Sequence, residues 1–233
     1  MPDFYKGEIL LINKPLRWTS FQAVNKLKHG LKRHPSLFID GKFVHLKIGH
    51  AGTLDPLATG LLIICTGKKT KEIQTFQDQK KEYTGTFFIG ATTPCFDLEK
   101  PVDKTYPTDH ITSEMILETA SSFIGVQEQT PPLFSAVLVN GERAYDIARK
   151  GETAELKARR IEIMEFEITR IQLPEVDFRI VCSKGTYIRS IARDIGEKLN
   201  SGAHLIKLCR TRIGDFALEN ALEPEAFLKG ILV

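Results

Sequence analysis

Apolar and polar positions along the chain repeat with two different periods, and the switches between them mark the elements. EILLIN at 8–13 and GLLIICTG at 60–67 are continuous apolar runs, the pattern of short strands buried on both faces. Between them Phe21, Val24, Leu27 and Leu31 recur at helical spacing. Thr19 stands three residues before Gln22 as a capping box, so the spacing predicts a helix over 20–32. Residues 34–50 hold no sustained period and read as loop. Residues 81–91 alternate, with Tyr83, Gly85, Phe87 and Ile89 on one strand face. A helix is predicted over 112–125, with Ile116, Ala120, Phe123 and Ile124 inward and Gly125 as its stop. Asn140-Gly141 marks a turn after a short strand, and a helix ended by Gly151 follows.

Two strands are predicted at about 159–172 and 176–182, joined around Leu173-Pro174-Glu175. In the first the apolar phase shifts from Ile161 and Ile163 to Phe166 and Ile168, which predicts a β-bulge. A helix over about 186–200 rests on Ile188, Ile191, Ile195 and Leu199. A strand near 203–210 and a terminal helix near 223–231 complete the pattern. Helices interspersed with antiparallel hairpins predict an α+β fold on a central, mainly antiparallel mixed sheet flanked by helices, not a doubly wound parallel one. With 233 residues, no internal repeat and no Gly/Ser-rich linker, one domain over 1–233 is expected.

Composition excludes more than it identifies. Hydrophobic residues at 42% and charged residues at 26% rule out a disordered or fibrous chain. No apolar run approaches the ~20 residues of a membrane span, and the first residues, MPDFYKGEILLIN, do not form a secretory signal. A cytoplasmic protein is expected. Cysteines 65, 95, 182 and 209 are far apart and offer no zinc or redox pair, so they read as small buried residues. The net charge of +3 matters less than its distribution. Residues 26–50 hold six Lys/Arg and four His against Asp40 alone, and residues 184–212 hold seven Lys/Arg against Asp194 and Glu197. Six acids gather in 97–118. A basic face makes nucleic acid a candidate partner, although Lys-rich solvated helix faces look the same.

Several segments fit chemistry. GHAGTLDPLATGLLIICTG at 49–67 runs a Gly, Thr, Asp and Pro-rich loop into a buried strand, which would hold the Asp55 carboxylate rigidly at the edge of a core. The competing reading is structural, because Asp-Pro is a common helix start. Tyr83, beside two Lys, offers a ring for stacking and a hydroxyl, or is simply a core tyrosine. Arg189 lies off the apolar stripe of its helix, where it could orient a carboxylate or face solvent. Arg210 and Arg212 fall on one strand face, and Arg143, Arg149 and Lys150 surround a turn; all suit phosphate contacts.

Taken in order, NKPLRWTSF, GHAGTLDPLATGLL, KEYTGTFFIGATT, QTPPLFSAVLVNGERAYDIARKG, CSKGTYIRSIARDIG and GAHLIKLCRTRIGDF closely resemble the TruB family of bacterial tRNA pseudouridine synthases, over residues 8–216. The resemblance implies the pseudouridine synthase fold and isomerisation of the T-loop uridine of tRNA, position 55, with no cofactor and no metal. It implies Asp55 as the catalytic carboxylate, either attacking the sugar or assisting loss and rebonding of the base. Tyr83 is implied to stack on the target base and Arg189 to pair with the aspartate. His50 is implied to fill the space left by the flipped nucleotide. Tyr187 and Lys184 belong to the same block as Arg189, and Lys14 to the first motif, where a structural role fits equally. A thumb-like insertion over about 125–155 should clamp the T-arm, and the acidic stretch 97–118 should face away from RNA. Leu138 stands where the family commonly has Lys, and only a short stretch follows Phe216, too few residues for a PUA-type barrel. A weaker grip on the far side of the tRNA is therefore expected. The expected partner is the tRNA T-arm stem-loop, with no membrane and a monomeric chain. Two other readings stand beside this one: a non-catalytic T-arm-binding, tRNA-folding protein, and a synthase acting on ribosomal RNA.

Overall fold

A computed structural model describes residues 1–231. In chain order its strands are β1 (Ile9–Lys14), β2 (Phe38–Ile39), β3 (Lys42–Phe43), β4 (Ile48–His50), β5 (Ala58–Thr66), β6 (Lys81–Ile89), β7 (Ala91–Thr92), β8 (Lys104–Thr105), β9 (Gly125–Gln129), β10 (Leu138–Val139), β11 (Glu142–Arg143), β12 (Arg159–Gln172), β13 (Glu175–Cys182), β14 (Ala203–Ile213) and β15 (Phe216–Ala217). The helices are α1 (Ser20–Leu31), α2 (Ile73–Asp78), α3 (Ser113–Ser121), α4 (Ala144–Arg149), α5 (Ile188–Lys198) and α6 (Pro224–Ile231). The chain forms two compact units, residues 1–83 with the chain from Cys209 onward, and residues 84–208; β6 and β14 contribute residues to each. The fold class is α+β. The β1–β5, β4–β5, β9–β12, β12–β13 and β14–β15 ladders are antiparallel, and isolated parallel bridges join Ile12 to Leu222 and Asp97 to Leu205.

In the first unit the strand order is β1–β5–β14, with β4 paired onto β5 and β15 onto β14. The continuous apolar run of β5 is explained by two cores. Leu62 and Ile64 pack with Leu10, Ile12 and the α1 residues Ala23, Val24, Leu27 and Leu31. Leu61, Ile63 and Cys65 pack with Ala51, Phe76 and Ile213. The capping box forms as the sequence reads: Gln22 N–H donates to Thr19 Oγ1 at 3.0 Å and Thr19 N–H to Gln22 Oε1 at 2.7 Å. Phe21 departs from the helical stripe and is 67% exposed, with Ala23 taking its place inside. Residues 34–50 are not a plain loop, for they hold the β2–β3 hairpin and β4.

In the second unit the order is β14–β6–β13–β12–β9. The β12–β13 ladder shifts register between Ile163 and Glu165, where the apolar phase changes, and again between Ile168 and Arg170. Phe87 stacks on Phe178 at 4.0 Å, with Phe166 edge-on to both. Helix α3 is shorter than predicted: it stops at Ser121, Ile124 is 52% exposed, and Gly125 opens β9 instead of capping the helix.

Candidate active site

Each element that carries a candidate residue is locally braced. In the first unit β4 ends at His50, and the chain crosses a loop at 51–57 before entering β5. Ala51, Leu54 and Ala58 are buried at 0%, 3% and 2% exposure, so the loop is pegged into the core at three points. Asp55, between the last two, stays half-buried. The backbone around it is held from other elements. The Ser20 hydroxyl, at the first residue of α1, donates to the Leu54 carbonyl at 3.2 Å and accepts from the Leu54 N–H at 2.9 Å. The Arg17 N–H donates to the Pro56 carbonyl at 2.7 Å. Arg210 donates to the Gly52 carbonyl at 3.2 Å and, through Nε, to the Leu61 carbonyl at 2.8 Å. Asp55 does not start a helix, since its carbonyl accepts the Ala58 N–H in a turn and β5 follows directly. The helix-start reading of this aspartate therefore does not hold.

Arg210 also corrects an expectation. Its side chain is 1% exposed and committed to backbone carbonyls, so it braces the loop from inside and cannot reach a phosphate. Gly60 lets β5 and β14 approach there: at φ +101°, any Cβ would lie 2.4 Å from the Arg210 carbonyl. Arg212, two residues on, is exposed. Lys14 is buried too, its ammonium donating to the Trp18 carbonyl at 2.6 Å and the Pro15 carbonyl at 3.0 Å. Burial pulls its pKa down to about 8, while the Asp55 charge pulls it back up and Arg210 pushes it further down. Lys14 is thus a tie within the loop that leads into α1, not an RNA contact. Burial lowers the His50 imidazole, against a hydrogen bond with the Gly52 backbone and with Arg210 lowering it further, which favours the neutral form. Tyr83 is half-buried on β6. Lys81 beside it is buried, its ammonium bound to the Gln77 and Gln79 carbonyls at 2.5 Å.

In the second unit Arg189 lies in the first turn of α5 and is 4% exposed. Its guanidinium donates to the Cys95 carbonyl at 3.1 Å and the Phe134 carbonyl at 2.9 Å, and its Nε stands 3.6 Å from Asp97 Oδ2. Asp97 is itself fixed: Oδ1 accepts the Glu99 N–H at 2.9 Å, and its carbonyl accepts the Thr93 hydroxyl at 2.6 Å. The acidic stretch 97–118 thus begins with a buried aspartate. Tyr187, just before α5, is held by a reciprocal pair with Gln129: its N–H donates to Oε1 at 2.8 Å and its carbonyl accepts Nε2 at 3.1 Å. Lys184 is exposed in the preceding turn.

Gln129 and Arg159 face each other across β9 and β12, so residues 130–158 leave the sheet and return on one rung. That excursion carries the β10–β11 hairpin, with Asn140 and Gly141 at positive φ, and then α4. Arg143 and Arg149 are exposed on either side of Tyr145, 6.0 and 5.1 Å from its ring centre, while Lys150 is paired with Glu142. Sequence reading missed three braces: Ser20, Asp97 and Gln129. Ser20 follows the capping Thr19 and carried no separate signal. Asp97 was hidden among neighbouring acids.

The family model described as TruB family pseudouridylate synthase (N terminal domain) matches residues 41–188. The tRNA pseudouridine synthase B of Flavobacterium johnsoniae is 58% identical over 97% of this chain and 96% of its own length. That of Phocaeicola vulgatus is 57% identical over 97% and 93%. Among solved structures, a chain from a Cbf5-Nop10-Gar1 complex superposes with a TM-score of 0.69 at 27% identity, covering 94% of this chain. This chain spans 52% of that one.

Proposed function

The chain belongs to the TruB family of pseudouridylate synthases and makes pseudouridine in tRNA, and from that premise we propose that its target is the T-loop uridine at position 55, with Asp55 as the catalytic carboxylate. Conversion requires the N1–C1′ bond to break, the uracil to turn, a C5–C1′ bond to form and the C5 proton to leave. As the base departs, C1′ becomes electron-poor, and an anion held beside it stabilises that change. The bracing of the Asp55 loop is the observation that carries this reading: Gly52, Leu54 and Pro56 are each bound by another element, so the carboxylate needs little reorganisation.

The remaining roles follow from chemistry. Tyr83 supplies a ring for the base. Arg189 supplies the guanidinium that sets the carboxylate's orientation and ionisation. A neutral His50 suits an apolar gap between stacked bases better than an imidazolium would. Tyr187 stands near the reacting base, and Arg143, Arg149, Lys184 and Arg212 meet phosphates. The excursion at 130–158 acts as the thumb on the T-arm. The protein works as a monomer in the cytoplasm; among the described residues no helix is long and apolar enough to cross a membrane.

Pseudouridine mapping on an unmodified tRNA transcript tests the reading. Wild-type protein alone is expected to convert one T-loop uridine. Tight binding with no conversion would instead favour the tRNA-folding protein, and conversion only in ribosomal RNA would move the substrate. Affinity is also expected to fall roughly a hundredfold between 50 and 200 mM salt if the four exposed cations each meet a phosphate. A flat response in a filter-binding titration would remove the phosphate contacts.

Ser20→Ala tests the brace. It leaves the buried Leu54 amide unpaired, at a cost of about 1–3 kcal/mol in stability. The kcat is expected to fall roughly tenfold with KM unchanged, because a misaligned carboxylate weakens the transition state and not the grip on RNA. A rise in KM at constant kcat would show that the loop serves binding instead.

A further inference from the structure

Unit 1 carries an apolar protrusion that the roles above leave unused. The β2–β3 hairpin turns on Asp40 and Gly41, with φ of +50° and +74°, the left-handed pair that a tight two-residue hairpin turn requires. Across it Phe38 pairs with Phe43 and Ile39 with Lys42. The two rings meet edge to face at 5.9 Å and remain 46% and 48% exposed, with Ile39 at 41%. The hairpin stands on a firm base. Leu37 and Leu46, on either side, are buried at 0% and 2% in the core shared with β1 and α1, and the Val44 N–H donates to the Leu37 carbonyl at 2.8 Å. An aromatic pair held out of the core by buried anchors is an unusual expense of apolar surface and marks an interaction site.

Charge identifies the partner. Lys32, Arg33, Lys42 and Lys47 are exposed within six residues of Phe38 or Phe43 along the chain, and Asp40 is the sole acid between residues 26 and 50. Protein interfaces are depleted in Lys, and two copies of so basic a patch would repel each other. Aromatic faces within a cationic rim are the composition that takes unpaired nucleotides, by stacking on the base and neutralising its phosphates. Chain connectivity bounds the distance: six residues separate Phe43 from His50, so the patch lies at most about 25 Å of extended chain from it.

We propose that the β2–β3 hairpin is a second RNA-contacting element, at which Phe38 and Phe43 stack on an unpaired base of the substrate tRNA while Lys42 and Lys47 meet adjacent phosphates. This rests on tRNA being the substrate. Loss of stacking raises KM and Kd and leaves the chemical step untouched, because no residue of the hairpin braces the Asp55 loop.

The test compares wild type with Phe38→Ala/Phe43→Ala and Lys42→Gln/Lys47→Gln on a tRNA transcript, reading kcat, KM, Kd by fluorescence anisotropy, and mass by light scattering. The aromatic variant is expected to raise KM and Kd about tenfold at unchanged kcat. Phe43→Tyr, which keeps a stacking face, is expected to stay near wild type. The lysine variant is expected to flatten the slope of log affinity against log salt by about 1.4–1.8. KM and Kd unchanged in both variants would overturn the proposal. So would a wild-type dimer that the aromatic variant turns into monomer, which would make the hairpin a self-association surface. If wild type binds tRNA without converting it, the proposed reaction fails while Kd alone still decides the hairpin. If wild type does not bind tRNA, both fail.

Discussion

Asp55→Asn is expected to leave the protein folded and bound to tRNA while conversion falls at least about a thousandfold, equivalent to ~4 kcal/mol of transition-state stabilisation. Asn matches Asp in size, but it is uncharged and puts an NH2 donor where Asp has a second acceptor oxygen. The bonds from Ser20, Arg17 and Arg210 hold the loop by backbone atoms of Leu54, Pro56 and Gly52. A half-buried position also tolerates the amide with little strain. Melting temperature and Kd should therefore stay near wild type, and the loss should appear in single-turnover rates at saturating enzyme. Asp55→Ala, which cannot revert by deamidation, should be as inactive. Lys14 supplies a local check: the Asp55 charge raises its pKa, so the neutral variant should lower that pKa below about 8. Retention of a tenth of the wild-type rate would mean that another group carries the chemistry.

How much of this was legible in the chain depended on range. Interactions a few residues apart read directly: the Thr19–Gln22 box, the Asn140-Gly141 turn, and the register shift where the apolar phase slips after Ile163. The β2–β3 hairpin did not, because strands of two residues are too short to show a period. Phe21 followed the helical spacing yet faces solvent, since spacing fixes an angle on the helix without saying what covers it. The Asp55 loop was legible as a motif, but its rigidity was not: Ser20 and Leu54 are 34 positions apart, and Arg210 and Gly52 158. Arg210 shows the limit most clearly. Strand alternation makes it equivalent to Arg212, and only the carbonyls of Leu61 and Gly52 explain why one charge is buried and the other exposed.

Arg189→Lys is expected to cost about a hundredfold in kcat, with KM little changed. A lysine keeps the charge, yet one compact ammonium cannot replace a planar fork that serves the Cys95 and Phe134 carbonyls and lies beside Asp97. Because both charges are 5% exposed, removing the anion weakens a buried ion pair and is expected to destabilise the unit. Asp97→Asn should therefore lower both melting temperature and kcat. If Asp97 acts on the reaction only by holding Arg189, the double variant Arg189→Lys/Asp97→Asn should be no slower than Arg189→Lys alone, a strongly non-additive cycle. Rates measured well below each variant's melting temperature separate this from partial unfolding. Additive losses would instead give Asp97 a role of its own, independent of the guanidinium. An Asp97→Asn variant that melts early but turns over at the wild-type rate would reduce the pair to a structural tie within the second unit.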